Sequence, residues 1–262
     1  MNHFYTLFNS EKPLIGMVHL PPLPDYPGSP GLSVIIDSAL SDLEKLEKYG
    51  IEGALIENEY DRPHRVKATP ETRKAMATVT KEVVKASDKC TIGVEILLND
   101  AKASLDVAKE AGAKFIRTDY FVDPMSRPEY GEFDIDPRGF IEYRKAINAE
   151  DILLLADIQV KYASMLIKRS IKKSAKLANF HHADAIVISG DETGDAPVIH
   201  DLKDAKSGAD IPVIIGSGFD ADNAKKLLSH CDGAIVGTAL MKNKIINADN
   251  VEKLLKSIGR LK

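Results

Sequence analysis

Eight short apolar runs recur along the chain, separated by charged segments with helical spacing. The runs are LIGMVHL (14–20), GALIENE (53–59), TIGVEIL (91–97), KFIRTDYF (114–121), ILLLADIQV (152–160), DAIVISG (184–190), PVIIGSG (212–218) and GAIVGTAL (233–240). Each is strand-length and rich in Val and Ile. The clearest helical segments are 33–49, 70–87, 100–110, 137–148, 170–179, 220–229 and 250–257. In the first of them Ile36, Leu40, Leu43 and Leu46 form a buried stripe opposite a wet face. Segment 198–207 is a weaker helix, because a long loop precedes it. This alternation predicts an α/β fold, a single (β/α)8 TIM barrel. An open doubly wound sheet also alternates, but it places a glycine-rich turn after its first strand, and none follows 14–20.

At 262 residues, 44% hydrophobic and 28% charged, the chain suits one large domain over 1–262, with residues 1–12 as an N-terminal extension that packs across the barrel's base or lies loose. A net charge of −4 gives no reason to expect nucleic acid or an anionic membrane as partner. The N-terminus lacks a signal-peptide pattern and no apolar run approaches a membrane span, so a cytoplasmic protein is expected. Cys90 and Cys231 then read as buried free thiols. Barrels of this kind often pair through outer helices, and a homo-oligomer is the expectation.

In such barrels the C-terminal strand ends carry the active site. Those ends supply His19, Glu57, Asn58, Glu95, Arg117 and Asp119, then Asp157, Gln159 and Lys161, and finally Ser189. Strand alternation places Arg117 with Asp119 on one face, and Asp157, Gln159 and Lys161 on another shared face. Buried groups of this kind satisfy one another or do chemistry.

The last two strands end in IIGSGF and IVGTAL. Glycine lets backbone N–H groups approach an anion closely, and loops after strands seven and eight are where barrels often bind phosphate. Gly216, Ser217, Gly218, Gly237 and Thr238 are therefore the phosphate candidates. The acidic loop SGDETGDAP (189–197) reads as a lid, a divalent-metal site or a solvated loop. No HExxH or CxxC spacing gives a strong metal signal. No cofactor is predicted; a divalent metal, or a flavin phosphate at the glycines, are the alternatives.

Several blocks together resemble the BtpA/SgcQ family: IGMVHLPPLP (15–24), GALIENEYD (53–61), ILLND (96–100), ADIQVKYA (156–163), VISGDETGDAP (187–197), PVIIGSGFDADN and GAIVGTAL. The resemblance runs in order across nearly the whole chain. It implies a barrel related to the ribulose-phosphate-binding superfamily. It also implies Asn99, Asp100, Thr193 and Gly194 as further substrate-binding residues, and it leaves Asp157 and Lys161 in pattern. The family's usual block resembles ADVHVKHA, so Gln159 and Tyr162 stand here where histidines are common. One branch is named for photosystem I biogenesis and another is described as nucleosidase-like or sugar-metabolising.

The expected function is catalysis on a small phosphorylated sugar- or nucleoside-like metabolite, by lyase, isomerase or nucleosidase chemistry. Asp157, Lys161, Asp119, Arg117 and His19 would be catalytic, with Lys161 as general base, electrophilic stabiliser or Schiff-base nucleophile. Glu57, Asn58, Glu95, Asn99, Asp100, Gln159, Ser189, Thr193 and Gly194 would hold the substrate. The other reading is a non-catalytic assembly or stability factor that uses the barrel as a binding surface.

Overall fold

The computed structural model describes residues 3–190, 192 and 194–261. Asp191 and Thr193 of the acidic loop, and so the substrate-binding expectation for Thr193, lie outside the described residues. Eight parallel strands close into a barrel: β1 (Leu14–His19), β2 (Gly53–Glu57), β3 (Thr91–Glu95), β4 (Phe115–Thr118), β5 (Leu153–Asp157), β6 (Ala185–Ile188), β7 (Val213–Ile215) and β8 (Ala234–Val236). They run in chain order around the ring, and β8 pairs with β1 to complete it. Almost every strand residue is buried, because helices cover the outside and side chains fill the axis.

The strand ends are sharper than the apolar runs. In the run 152–160 the strand stops at Asp157, and in the run 114–121 it stops at Thr118. The helices start where capping chemistry allows. After α1 (His3–Phe8) and α2 (Leu32–Lys48), Thr69 accepts from the Thr72 N–H and precedes Pro70, so α3 is Pro70–Ala86. Asp100 caps the N-terminus of α4 (Ala101–Ala111), which ends at Gly112 with φ 85°, a left-handed stop that glycine adopts freely. The weaker helix expected over 198–207 forms as Ile199–Gly208, while the one expected over 220–229 contracts to Ala224–Leu228.

The N-terminal extension packs across the base. Helix α1 (His3–Phe8) turns Phe4 and Phe8 inward, where Phe8 meets the Phe115 ring edge-on with centroids 5.3 Å apart. Both join the axial cluster of Ile15, Met17, Leu55, Leu155 and Ile214. Full burial of each phenyl group contributes about 2 kcal/mol.

Two small antiparallel sheets decorate the opposite rim and were not visible in the apolar pattern. One joins Met125–Arg127 to Gly131–Glu132 and Ser164–Met165. The other is a hairpin of Met241–Lys242 with Ile245–Ile246, set directly after β8 and a single 3-10 turn. No helix among the described residues is long and apolar enough to cross a membrane.

Candidate functional site

The C-terminal strand ends surround a cavity of about 570 Å³, within the range of small-molecule sites. Register builds its floor. His19 of β1 is level with Glu57 of β2, and Glu57 is level with Glu95 of β3. Parallel strands in register set these side chains side by side as a polar ladder. His19 Nε2 lies 3.2 Å from Glu57 Oε2, and Arg117 Nη1 lies 3.7 Å from Glu95 Oε2. Arg117 then crosses to β5: Nε donates to Asp157 Oδ2 at 2.8 Å and Nη2 to Oδ1 at 2.9 Å. Ser189 reaches Asp157 Oδ1 at 3.5 Å.

Burial splits the carboxylates of this ladder. Burial pushes Glu57 up, but the hydrogen bond and charge of His19, with Arg117 behind, outweigh it and bring Glu57 down to about 2. For Glu95 burial wins: its pKa is raised well above the ordinary range despite Arg117, with the neighbouring carboxylates adding to the rise. Burial thus favours the neutral form of Glu95, while His19 favours the charged form of Glu57. Asp119, just past β4 and on the cavity wall, is pushed up to about 7 by burial and by Asp157, against the pull of Arg117 and Lys161.

Lys161 lines the same cavity as Gly216 and Gly237. Its charge acts on Asp119 and Glu59. The glycine turns abut both flanks of the ladder. A methyl group on Gly216 would sit 3.1 Å from Arg117 Nη2, and one on Gly237 would sit 3.5 Å from His19 Cε1. Gly218, at φ 68°, is pressed against the Asp195–Ala196 backbone, where any side chain would collide at 2.1 Å. Ser217 and Thr238 line the cavity with these glycines; Ser217 Oγ also donates to the Asp195 carbonyl at 3.1 Å. Gly194, at φ 94°, completes that wall.

Other expectations need correction in geometry. Gln159 does not share a face with Asp157 and Lys161. The strand has ended, Gln159 takes φ 49°, and its side-chain amide donates to the Arg169 carbonyl at 3.1 Å and to Ser174 Oγ at 3.0 Å, away from the cavity. Asn58 is buried in a turn: it donates to Asp61 Oδ2 at 2.9 Å and accepts from the Leu97 N–H at 2.8 Å. Asn99 and Asp100 face a separate cavity of about 410 Å³ outside the barrel mouth, and Asp100 is spent on capping α4 and on the Ala68 N–H. Asp157 is gripped by Arg117 rather than set against Lys161.

The strand-end reading missed Glu59, Arg62, His64, Arg127 and Lys244, which also line the cavity. Glu59 had a signal, since it is two residues beyond Glu57; burial and repulsion from Glu57 raise its pKa. The others come from loops with no periodicity. His64 is buried, and burial with the nearby Arg62 lowers its pKa to about 4, so it is neutral at pH 7. No group of three His, Cys, Asp or Glu side chains among the described residues is arranged to hold a metal ion.

Solved structures with the same fold include thiamine phosphate pyrophosphorylase from Pyrococcus furiosus (17% identical, TM-score 0.60, covering 96% of this chain and 97% of that one). A 3-hexulose-6-phosphate synthase is similar to the same degree (16% identical, TM-score 0.61, covering 94% of this chain and all of the other, 100%). Relatives in sequence are nearer. An uncharacterised protein of Archaeoglobus fulgidus is 34% identical over 94% of this chain and 98% of its own. The photosystem I biogenesis protein BtpA of Synechocystis sp. is 32% identical over 94% of this chain and 86% of its own. The model of the BtpA family matches residues 10–259, and with these relatives it shows that the chain belongs to the BtpA family.

Proposed function

We propose that the protein is an enzyme performing acid–base chemistry, of isomerase or lyase type, on a small phosphorylated sugar-like metabolite. One observation carries the reading: two glycine turns line one cavity with the carboxyl groups of Glu57 and Asp119, held at about 2 and about 7, and Gly216 lies against Arg117 and Gly237 against His19. The glycines would hold the phosphate by backbone N–H groups. Asp119, poised near 7, would exchange a proton with a carbon next to the substrate carbonyl, since a base near the working pH transfers protons best. The Lys161 ammonium would stabilise the negative charge that then develops on the carbonyl oxygen. His19 and Glu57 would bind substrate hydroxyls. Arg117 would act through Asp157 and Glu95, holding the ladder rather than touching substrate. The names of the two similar structures each contain a phosphorylated compound, which is consistent with this chemistry. The buried free thiols of Cys90 and Cys231 suit a reducing, cytoplasmic setting.

The test is a panel of sugar phosphates followed by proton NMR in D2O. Exchange of a substrate C–H for deuterium, lost in Asp119→Asn, is the expected result. Failure of every phosphorylated compound to bind would remove the reading.

The Synechocystis relative's name favours a second reading, an assembly factor that binds protein. The Archaeoglobus relative, at 34% identity, carries no such name. A stoichiometric protein partner, with no small-molecule binding, would support this second reading.

A further inference from the structure

The hairpin after β8 is built in an unexpected way for a surface turn. Its base is rooted: Asn247 N–H donates to the Leu240 carbonyl at 2.8 Å, Ile246 N–H to the buried Asp42 carboxylate at 3.0 Å, and Asn250 Nδ2 to the Met241 carbonyl at 2.9 Å. Its tip is the two-residue loop Asn243–Lys244, with φ of 53° and 70°, the signature of a type I′ turn. Such a turn takes Asn readily at its first position and calls for glycine at the second, where a lysine is strained. Both tip residues line the cavity. A long cationic side chain thus replaces the favoured glycine at the place where the tip meets the site.

The charges around the cavity single out that lysine. Arg62 pairs with Glu59, Arg117 with Asp157 and Glu95, and Arg127 with Glu129. Among the described residues Lys161 and Lys244 make no ion pair, and Lys161 lies within reach of the charges on Asp119 and Glu59. Lys244 instead rests its ammonium over the Tyr60 ring, 4.3 Å from the centroid, and the Tyr60 and His19 rings meet edge-on with centroids 5.9 Å apart. A cation–π contact at an exposed site is weak and readily exchanged for an anion. The hairpin also follows the Gly237–Thr238 turn with only the 3-10 segment between.

We propose that Lys244 is a phosphate-binding residue: the rooted hairpin delivers its ammonium to the anion held by the Gly216–Gly218 and Gly237–Thr238 turns. Tyr60 is its resting place when no anion is bound. This rests on the phosphate reading above and extends it, because those turns contribute uncharged donors and Lys244 adds the matching positive charge. The ligand group is therefore a terminal phosphate monoester, doubly charged near pH 7, rather than a singly charged diester buried in a longer chain.

The experiment titrates inorganic phosphate into wild type, Lys244→Gly and Lys244→Met by calorimetry, with melting curves in phosphate-free buffer. Lys244→Gly relieves the turn, so its melting temperature is expected to rise by about 2 °C, while its phosphate affinity falls roughly tenfold. Lys244→Met keeps the strained backbone and loses the charge, and it is expected to show the same loss of affinity without the rise in melting temperature. Wild-type affinity in Lys244→Gly would overturn the assignment and leave the glycine cradle standing. Absence of phosphate binding in the wild type would remove the cradle and the assignment together.

Discussion

Arg117 holds Asp157 by a two-pronged grip across neighbouring strands, with Nε 2.8 Å from Oδ2 and Nη2 2.9 Å from Oδ1. Both side chains are almost wholly buried, at 8% and 2% exposure. Removing one partner strands a charge away from water. Asp157→Ala is expected to cost about 3–5 kcal/mol in urea denaturation. The apolar double variant Arg117→Met/Asp157→Leu should cost less than the single one. Equal losses would show that the pair matters for packing and not for charge.

Asp119 gives the fold a pH signature. Its pKa is about 7 when folded against 3.8 for the free group, so between those values the folded chain holds a proton that the unfolded chain has released. Stability contributed here falls as pH rises from about 4 to about 7, and is level above that. Melting curves of wild type and Asp119→Asn should converge near pH 4 and separate toward pH 8, with the variant higher. Turnover that needs the ionised carboxylate should rise through about pH 7 in wild type and lose that limb in the variant.

Lys161→Met tests chemistry apart from folding. Lys161 is half-buried and makes no ion pair among the described residues, so the melting temperature should hardly move, by about 0.5 kcal/mol in stability at most. On a substrate found by the deuterium screen, turnover should fall roughly 10²-fold or more. Unchanged turnover would take Lys161 out of the reaction.

Phe8→Ala probes the base. The ring packs against Phe115 and within contact of Gly53, and its loss should cost about 3 kcal/mol by denaturation. The same substitution should leave phosphate affinity unchanged, because the glycine turns lie at the other end of the strands.

The barrel was legible because buried parallel strands leave continuous apolar runs whose spacing repeats. The strand-end rule then brought His19, Glu57, Arg117 and Asp119 to one cavity wall. It failed at Gln159, where a left-handed residue breaks the alternation that the rule assumes. The resemblance implied Asn99 and Asp100 for the substrate, but the chain leaving β3 turns outward to cap α4 and takes both residues to a separate cavity. The pairing of Arg117 with Asp157 depends on which residues of β4 and β5 lie level, and Arg117 is level with Leu155, two residues before the carboxylate. No local pattern encodes that offset. The hairpin that carries Lys244 left no trace either, since MKNKII has neither Gly nor an apolar alternation to mark a turn.

The two phenylalanines of α1 carry a consequence for traffic. With Phe4 and Phe8 stoppering the axis, the site is a cul-de-sac. Whatever enters past Lys161 and the Lys244 hairpin must back out through the same doorway. Under the proposed chemistry, a product still lodged there would bar the next substrate, so departure and arrival would take turns.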